Sequence, residues 1–433
     1  MKKKKILFIL PWLPYPLVSG GHQAIFHGIL AVKDDFDIYI TYQSSYLSPH
    51  PEDRDGFLEQ IPNAILLPYL SEGNKLLNGL RFERWIQVIK VGIKRLLPKK
   101  MLQRGSNEDS NYSICSSWIT AFFPPSKTWA NFIESICSQY KFDIIQVEMP
   151  RMIPQVLCLP EKSFKIHVHH ELGFVRRRLE MREFGKTNSY MESCLKFADT
   201  NEIGQLNKYD MVMTLSPVDK LKLKDMGVSV PIRESFAMVD TDEEYSYNNR
   251  CNNVLSFVGS DSHSPNYGAI IWFLECCWPV LKKKKPEYKL LIIGKWDIGH
   301  INEIERKYKD VAFLGFVDDL KEALSGSIMI VPIQVGSGIR MKILEACSMA
   351  IPFVSTTIGA EGIPVIDGEH CFIADDSDMF VSKIIQLNED FLLQKYFTFN
   401  AYKMVKDVYS MESLRSNRLG IYKELLTKNI GKQ

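Results

Sequence analysis

Several common signatures are missing from this 433-residue chain. No two of its nine cysteines form a C-x-x-C pair. An odd, scattered set without metal spacing argues against a disulfide or zinc framework, and fits reduced thiols in the cytoplasm. Cys276 and Cys277 are adjacent, so they cannot both face a core from one regular element. Charge of neither sign dominates: 53 basic side chains stand against 51 acidic ones. That balance, with a net charge of +2, argues against a dedicated nucleic-acid binder. No segment offers about 18 uninterrupted apolar residues, so no transmembrane helix is expected. The start, MKKKKILFILPWLPYPLVSGG, has the basic residues of an export signal. Its apolar run ends at Leu10, before Pro11, Pro14 and Pro16, and suits a buried strand better. G-x-G-x-x-G does not follow that strand, which counts against a dinucleotide fingerprint. No D-x-D metal motif stands in a suitable loop; Asp240-Thr241-Asp242 falls in a polar stretch.

What is present is an alternation of short apolar runs, glycine turns and helical patterns. Lys5–Leu10 reads as a strand, Ser19-Gly20-Gly21 as a turn, His22–Val32 as a helix and Asp37–Tyr42 as the next strand. That βαβ order predicts a parallel sheet. Further strands are expected at 143–148, 165–169 and 210–215, with a helix over 192–207. A polar stretch, 231–252, reads as a linker. The pattern then restarts with strands at 254–258, 288–293, 311–314 and 328–332 and a helix over 268–281. From Asp376 onward the chain reads as mostly helical. The fold class is α/β, with two Rossmann-like, doubly wound domains facing a cleft. The boundaries are 1–236 for the first domain, 250–410 for the second and 411–433 for a C-terminal helix, which the family resemblance given below implies packs back on the first.

Residues 71–125 read as an insertion. From Lys75 to Arg104 there are nine basic residues and one acidic residue, Glu83. Phe82, Trp85, Ile86, Ile89, Ile93 and Leu96 keep helical spacing. Such a helix suits an anionic membrane surface and equally suits core packing with a solvated basic side. A peripheral membrane contact through 75–104, at the inner face of the cell membrane, is thus one expectation.

The densest chemistry lies in VPIQVGSGIRMKILEACSMAIPFVSTTIGAEG, residues 331–362. It reads as strand, glycine loop, helix, strand, glycine loop. A glycine loop entering a helix N-terminus suits an anion, because unpaired N–H groups and the helix dipole point the same way. Arg340 and Lys342 add cations, and Glu345 places a carboxylate one turn on. Cations by an amide nest suit a diphosphate, and a carboxylate beyond them suits sugar hydroxyls. In open α/β sheets ligands bind beyond the carboxyl ends of strands. His169, His170, Glu171 and Ser216 stand at such ends. Arg176, Arg177 and Arg178 suit an anionic acceptor or, more simply, a solvated face. Glu202, which on the resemblance given below stands where relatives have a glutamate before the Y-D pair, is equally well explained by helix-surface solvation.

Read in order, FVGSDSHSPNYGAIIWF, LLIIGKW, FLGFVDDL, the 331–362 stretch and GEHCFIADD resemble the nucleotide-sugar domain of retaining glycosyltransferases of the two-Rossmann-domain (GT-B) type, family 4, also called glycosyl transferases group 1. PYPLVSGGHQ and YDMVMTLSP extend the resemblance to the first half. It implies a C-terminal domain that holds the donor and an N-terminal domain that holds the acceptor. It assigns Glu345 to the ribose hydroxyls, and Gly336, Ser337 and Gly338 to the loop near the sugar and phosphates. Phe316 and Val317 fall on the base-binding edge, Gly20 and Gly21 near the diphosphate, and Gly259 and Gly294 at donor-side strand ends. His170 and His169 are candidates to orient the sugar or polarise the acceptor, and Arg340 and Lys342 to meet the phosphate charge.

There are departures from the family pattern. Ser337 stands where many members have the first of two glutamates. The loop Gly259–His263 has no Arg or Lys. The linker motif reads Ala237-Met238-Val239-Asp240. In an ideal helix residues two apart point about 200° apart, so Arg340 and Lys342 share one diphosphate only if Arg340 precedes the first turn. Failing that, Lys342 is expected to pair with Glu345.

The implied function is sugar transfer from a nucleotide diphosphate sugar to a glycan or lipid-linked acceptor, with retention, in bacterial surface polysaccharide synthesis. No metal and no cofactor is implied. The alternatives are a catalytically silent scaffold on this fold, prompted by Ser337, and an epimerase or phosphorylase. A phosphorylase would need a pyridoxal lysine, which no motif supplies.

Overall fold

The computed structural model describes residues 3–44, 49–70, 124–175, 177–178, 188–241, 244–247 and 250–427. The basic helix expected at 75–104, nearly all of the insertion at 71–125, and Arg176 lie outside them. The chain divides into two compact units. One comprises 1–213, 222–233 and 423–433; the other comprises 214–221 and 234–422.

The first unit is built on strands β1 (Lys4–Leu10), β2 (Phe36–Ser44), β3 (Ile65–Leu70), β4 (Ile144–Glu148), β5 (Phe164–His169), β6 (Met211–Thr214) and β7 (Ile232–Glu234). Their order across the sheet is β3-β2-β1-β4-β5-β6-β7. β1 pairs in parallel with both β2 and β4, placing Ile6 opposite Ile38 and Ile144. All three are fully buried. A parallel strand covered on both faces reads as an unbroken apolar run, which is why Ile6–Leu10 looked like a strand rather than an amphipathic element.

Two strands of this first sheet were not expected. β3 carries Pro68, and an edge position tolerates a residue without an N–H. β7 falls inside the stretch read as a linker. It has only three residues, too few to show a period, and Val212 N–H donating to Pro231 O ties its approach to β6. The linker reading of 231–252 is therefore corrected at its start.

The second unit repeats the plan with β8 (Val254–Val258), β9 (Lys289–Ile293), β10 (Val311–Gly315), β11 (Ser327–Val331), β12 (Phe353–Ser355) and β13 (Phe372–Ile373). The order is β10-β9-β8-β11-β12-β13, and all five pairings are parallel. Leaving β8 in opposite directions, the chain creates a switch point between β8 and β11. The helix expected over 268–281 is longer and interrupted. Ser264–Trp272 and Trp278–Lys284 are joined by a π-helical turn, Phe273–Cys277. Pro279 explains it: a residue without N–H cannot complete the ladder and crowds the preceding turn. Cys277 is buried and Cys276 exposed, as adjacency required. Helices Ser377–Glu389, Phe391–Val408 and Met411–Thr427 complete the chain.

Candidate functional site

Four strand ends of the second sheet carry the donor-side candidates, and a fifth strand ends beside them. β8 leads into Gly259, β9 into Gly294, β10 into Phe316 and Val317, β11 into the 336–340 loop, and β12 into Thr356 and Thr357. They stand at one edge because every strand runs the same way.

The 336–340 loop is braced from within. Arg340 has extended backbone and caps the helix Met341–Ser348, so it precedes the first turn. Its Nη1 donates to Ser337 O at 2.5 Å and to Gly338 O at 2.6 Å. The guanidinium is nearly buried against the loop. At Gly336, φ is 157°, and an added Cβ would come within 2.5 Å of Arg340 Nη2. Only glycine leaves room for the arginine to fold back this way. Two charge-assisted bonds to loop carbonyls hold the backbone amides of the turn in place.

Lys342 lies inside the first helical turn and turns elsewhere. Its Nζ donates to Asn266 Oδ1 at 2.9 Å and sits 4.1 Å from the centre of the Phe257 ring. The expected pairing with Glu345 is replaced by this one, because Asn266 arrives from β8's following helix on the side Lys342 faces. Burial and the nearby Arg340 charge push the Lys342 pKa down, and Glu345 only partly restores it; the result is about 7. Asn266 Nδ2 donates to Ser260 O at 2.9 Å. A carbonyl accepts and an ammonium donates, so the two partners fix which way the amide points. Asn266 thereby links the cation-free loop 259–263 to Lys342. Asparagine in SHSPNYG gave no local hint of this, since its partner is 76 residues away.

The neighbouring loops are held closely. Gly259 N–H donates to Ile293 O, Gly294 N–H to Gly315 O, and Trp296 Nε1 to Gly259 O. A Cβ on Gly294, whose φ is 130°, would meet Gly259 O at 2.7 Å. Asp261 accepts from Asp297 N–H at 2.7 Å and lies 2.8 Å from His300 Nδ1. Burial alone would raise the Asp261 pKa, but these contacts outweigh it and hold the pKa low. Phe316 is 73% exposed, an unusual state for an aromatic ring directly beyond a strand. Glu345 is partly exposed on the helix that Arg340 caps.

In the first unit Gly20 and Gly21 open the helix Gly20–Leu30, two residues earlier than the pattern suggested, with Ser19 as N-cap. Their N–H groups belong to the turn that has no partners inside the helix. His170 and His169 both end up buried. His170 Nε2 lies 2.6 Å from Glu148 Oε2, and Gln146 Nε2 donates to Glu148 Oε1 at 2.5 Å. His169 is fully buried, 3.5 Å from Glu202 Oε1.

Two surface readings are corrected by the same cluster. Arg177 is 1% exposed and donates to Asp199 at 2.8 Å and Glu202 at 2.6 Å. Arg178 donates to Asp199 at 2.5 Å. Glu202 is buried, not on a solvated helix face. Burial opposes both charges, yet the contacts win: His169 and then Arg177 hold the Glu202 pKa down, and Glu202 and Asp199 hold that of Arg177 up. The helix Ser189–Leu206 has a weak apolar stripe because its inward face carries these carboxylates.

Among the described residues, no cluster of three His, Cys, Asp or Glu side chains could hold a metal ion. No helix among them is long and apolar enough to cross a membrane.

Residues 252–390 match the family model "Glycosyl transferases group 1". An uncharacterized 44.6 kDa protein in the cps region of Klebsiella pneumoniae is 30% identical over 180 residues. That match spans 40% of this chain and 45% of the relative's length, less than half of each. Solved structures align over nearly the whole chain. Anabaena Alr3699/HepE in complex with UDP covers 98% of this chain and 100% of its own, at 12% identity and a TM-score of 0.63. A variant of S. aureus TarM, in complex with fondaparinux, α-GlcNAc-glycerol and UDP, covers 96% and 99%, at 12% identity and 0.66. Sucrose-phosphate synthase from Thermosynechococcus elongatus covers 98% and 100%, at 13% identity and 0.68. The chain therefore has the two-domain, Rossmann-like GT-B fold, and residues 252–390 of its second unit are similar to the glycosyl transferases group 1 family.

Proposed function

We propose that this protein is a glycosyltransferase of family 4 type, transferring a hexose from a nucleotide diphosphate sugar to a glycan or lipid-linked acceptor with retention, in bacterial surface polysaccharide synthesis. The carrying observation is the family match over 252–390, which contains the braced 336–340 loop, Lys342 and Glu345. The relative from a cps region and the UDP complexes of the similar structures support the pathway and the donor class.

In this reading the anomeric C–O bond breaks, and negative charge grows on the leaving phosphate. Groups fixed before reaction stabilise that charge most, because they need no rearrangement as it forms. The amides of 336–338 and the Lys342 ammonium are such groups, and Arg340 keeps the amides in place. Gly20 and Gly21 bring a second set of amides. No divalent ion and no cofactor enters the step. Glu345 holds ribose hydroxyls, and Phe316 and Val317 line the base. The leaving phosphate takes the acceptor proton, so retention needs no protein nucleophile. His170, oriented by Glu148, polarises the acceptor. The protein works in the cytoplasm, with 75–104 as the segment for peripheral membrane contact.

The test is a panel of uridine, guanosine and thymidine diphosphate sugars, scored for binding and slow hydrolysis. One of them is expected to bind and turn over. Binding without turnover would favour the silent scaffold, whose sequence warrant is Ser337. No binding by any of them would refute the transferase reading.

A further inference from the structure

The arginines at 177 and 178 are engaged by carboxylates, but a different cation stands at the first sheet's switch point. β1 and β4 are neighbours from which the chain proceeds in opposite directions across the sheet. Ligands bind beyond the carboxyl ends of such strands. Trp12 follows β1 by two residues and Arg151 follows β4 by three. The Arg151 guanidinium lies 4.9 Å from the Trp12 ring centre, and its Nη2 donates to Pro11 O at 3.2 Å. On the Trp12 ring also stacks His22, with centroids 5.2 Å apart and planes 28° apart. His22 Nδ1 is 2.7 Å from Ser19 Oγ. Met149, between β4 and Arg151, is held at φ 76° and ψ 142°, a costly backbone for a residue with a side chain. Arg151 is exposed, and no carboxylate pairs with it among the described residues.

We propose that Arg151, held against the Trp12 ring on which His22 also stacks, is a subsite for a phosphate ester on the acceptor. An arginine held against a ring and anchored through one nitrogen to a carbonyl is preorganised for a forked pair between its remaining N–H groups and phosphate oxygens. Pinning it beforehand removes part of the ordering cost of binding. An arginine serving only to cover the ring would not require the strained turn that delivers it. The inference rests on the transferase reading, since it names the acceptor class for that activity.

The protein is first saturated with whichever nucleoside diphosphate binds, to fill the donor side. Glucose 1-phosphate, geranyl phosphate and methyl α-glucoside are then titrated, and the His22 ring proton is followed by NMR, assigned by its loss in His22→Gln. At least one phosphate ester is expected to bind about tenfold more tightly than the neutral glucoside, and Arg151→Gln to abolish that preference. Whichever ester binds identifies a glycan or a lipid as the phosphate's source. Arg178→Gln is expected to leave the preference intact, which excludes a general loss of positive charge. No preference for either ester in the wild type, or an unchanged preference in Arg151→Gln, would overturn the proposal. So would an Arg151→Gln variant that loses nucleoside diphosphate affinity instead, because Arg151 would then serve the donor. If no nucleoside diphosphate binds at all, the transferase reading fails. The same titrations without nucleotide still test the subsite.

Discussion

If Lys342 meets the donor diphosphate, nucleotide affinity must fall as pH rises through neutrality. The Lys342 pKa sits near 7 in the unliganded protein, chiefly through burial. The ammonium is present below that value and lost above it. A bound diphosphate places negative charge beside it and raises the pKa, so binding takes up a proton. If the bound pKa moves well above 9, affinity falls by about 16-fold between pH 7 and 8.5, since the protonated fraction drops from one half to about one thirtieth. The nucleotide contributes little there, because a terminal phosphate with a pKa near 6 is already ionised. Calorimetry with the best-binding nucleoside diphosphate, in two buffers of different ionisation enthalpy, measures both the slope and the proton uptake. Lys342→Gln should bind weakly and show no slope. Asn266→Leu removes the 2.9 Å partner and should weaken binding. Equal slopes in wild type and Lys342→Gln, or a flat wild-type profile, would refute the reasoning.

Arg340→Ala removes two charge-assisted bonds to loop carbonyls. It should lower stability by about 2–4 kcal/mol in denaturant unfolding and slow transfer; transfer at the normal rate would exclude the phosphate-loop role. Gly294→Ala forces a side chain into φ 130° and to within 2.7 Å of Gly259 O. The expected cost is about 1–3 kcal/mol, read as a lower Tm, and an unchanged Tm would mean that the loops move apart freely. Arg177→Met removes the buried cation that Asp199 shares with Arg178 and Glu202 with His169, and should destabilise by about 3–5 kcal/mol. The Glu202 pKa is lowered on folding by His169 and Arg177, so Arg177 supplies part of a stabilisation that is present above the ordinary carboxylate range. That contribution is lost as pH falls below about 4.5 toward the folded value, and acid titration of wild type against the variant should separate only above that window.

How far residues announced these features depends on how local their reasons are. Ile6–Leu10 and Val254–Val258 are unbroken apolar runs closed by turns, and both are strands as read. Gly259, Gly294 and Gly336 were visible because tight approaches demand glycine whatever lies across the gap. β3 and β7 were not visible. One is an edge strand containing proline; the other is three residues long and owes its state to its neighbours. Arg177 and Glu202 look like surface residues by composition, since buried charges are rare unless paired. Their pairing spans 25 residues.

Lys342 shows why motif spacing and contact geometry answer different questions. The order G-S-G-x-R-x-K-x-x-E correctly put cations and a carboxylate around one helix start. Helical spacing then offered Glu345 as the partner of Lys342, because it is the nearest carboxylate along the chain. The side chain instead bridges to β8's loop through Asn266 and rests on Phe257. That bridge brings a titratable cation beside 259–263, a loop that has none of its own. The 259–263 loop, without an arginine or lysine of its own, is thus linked through Asn266 to a lysine delivered from β11's side of the switch point rather than from β8's. What is altered is the charge's permanence. An arginine stays charged at any physiological pH, whereas a lysine near 7 can exchange its proton with solvent, so a phosphate bound as proposed would draw a proton onto it.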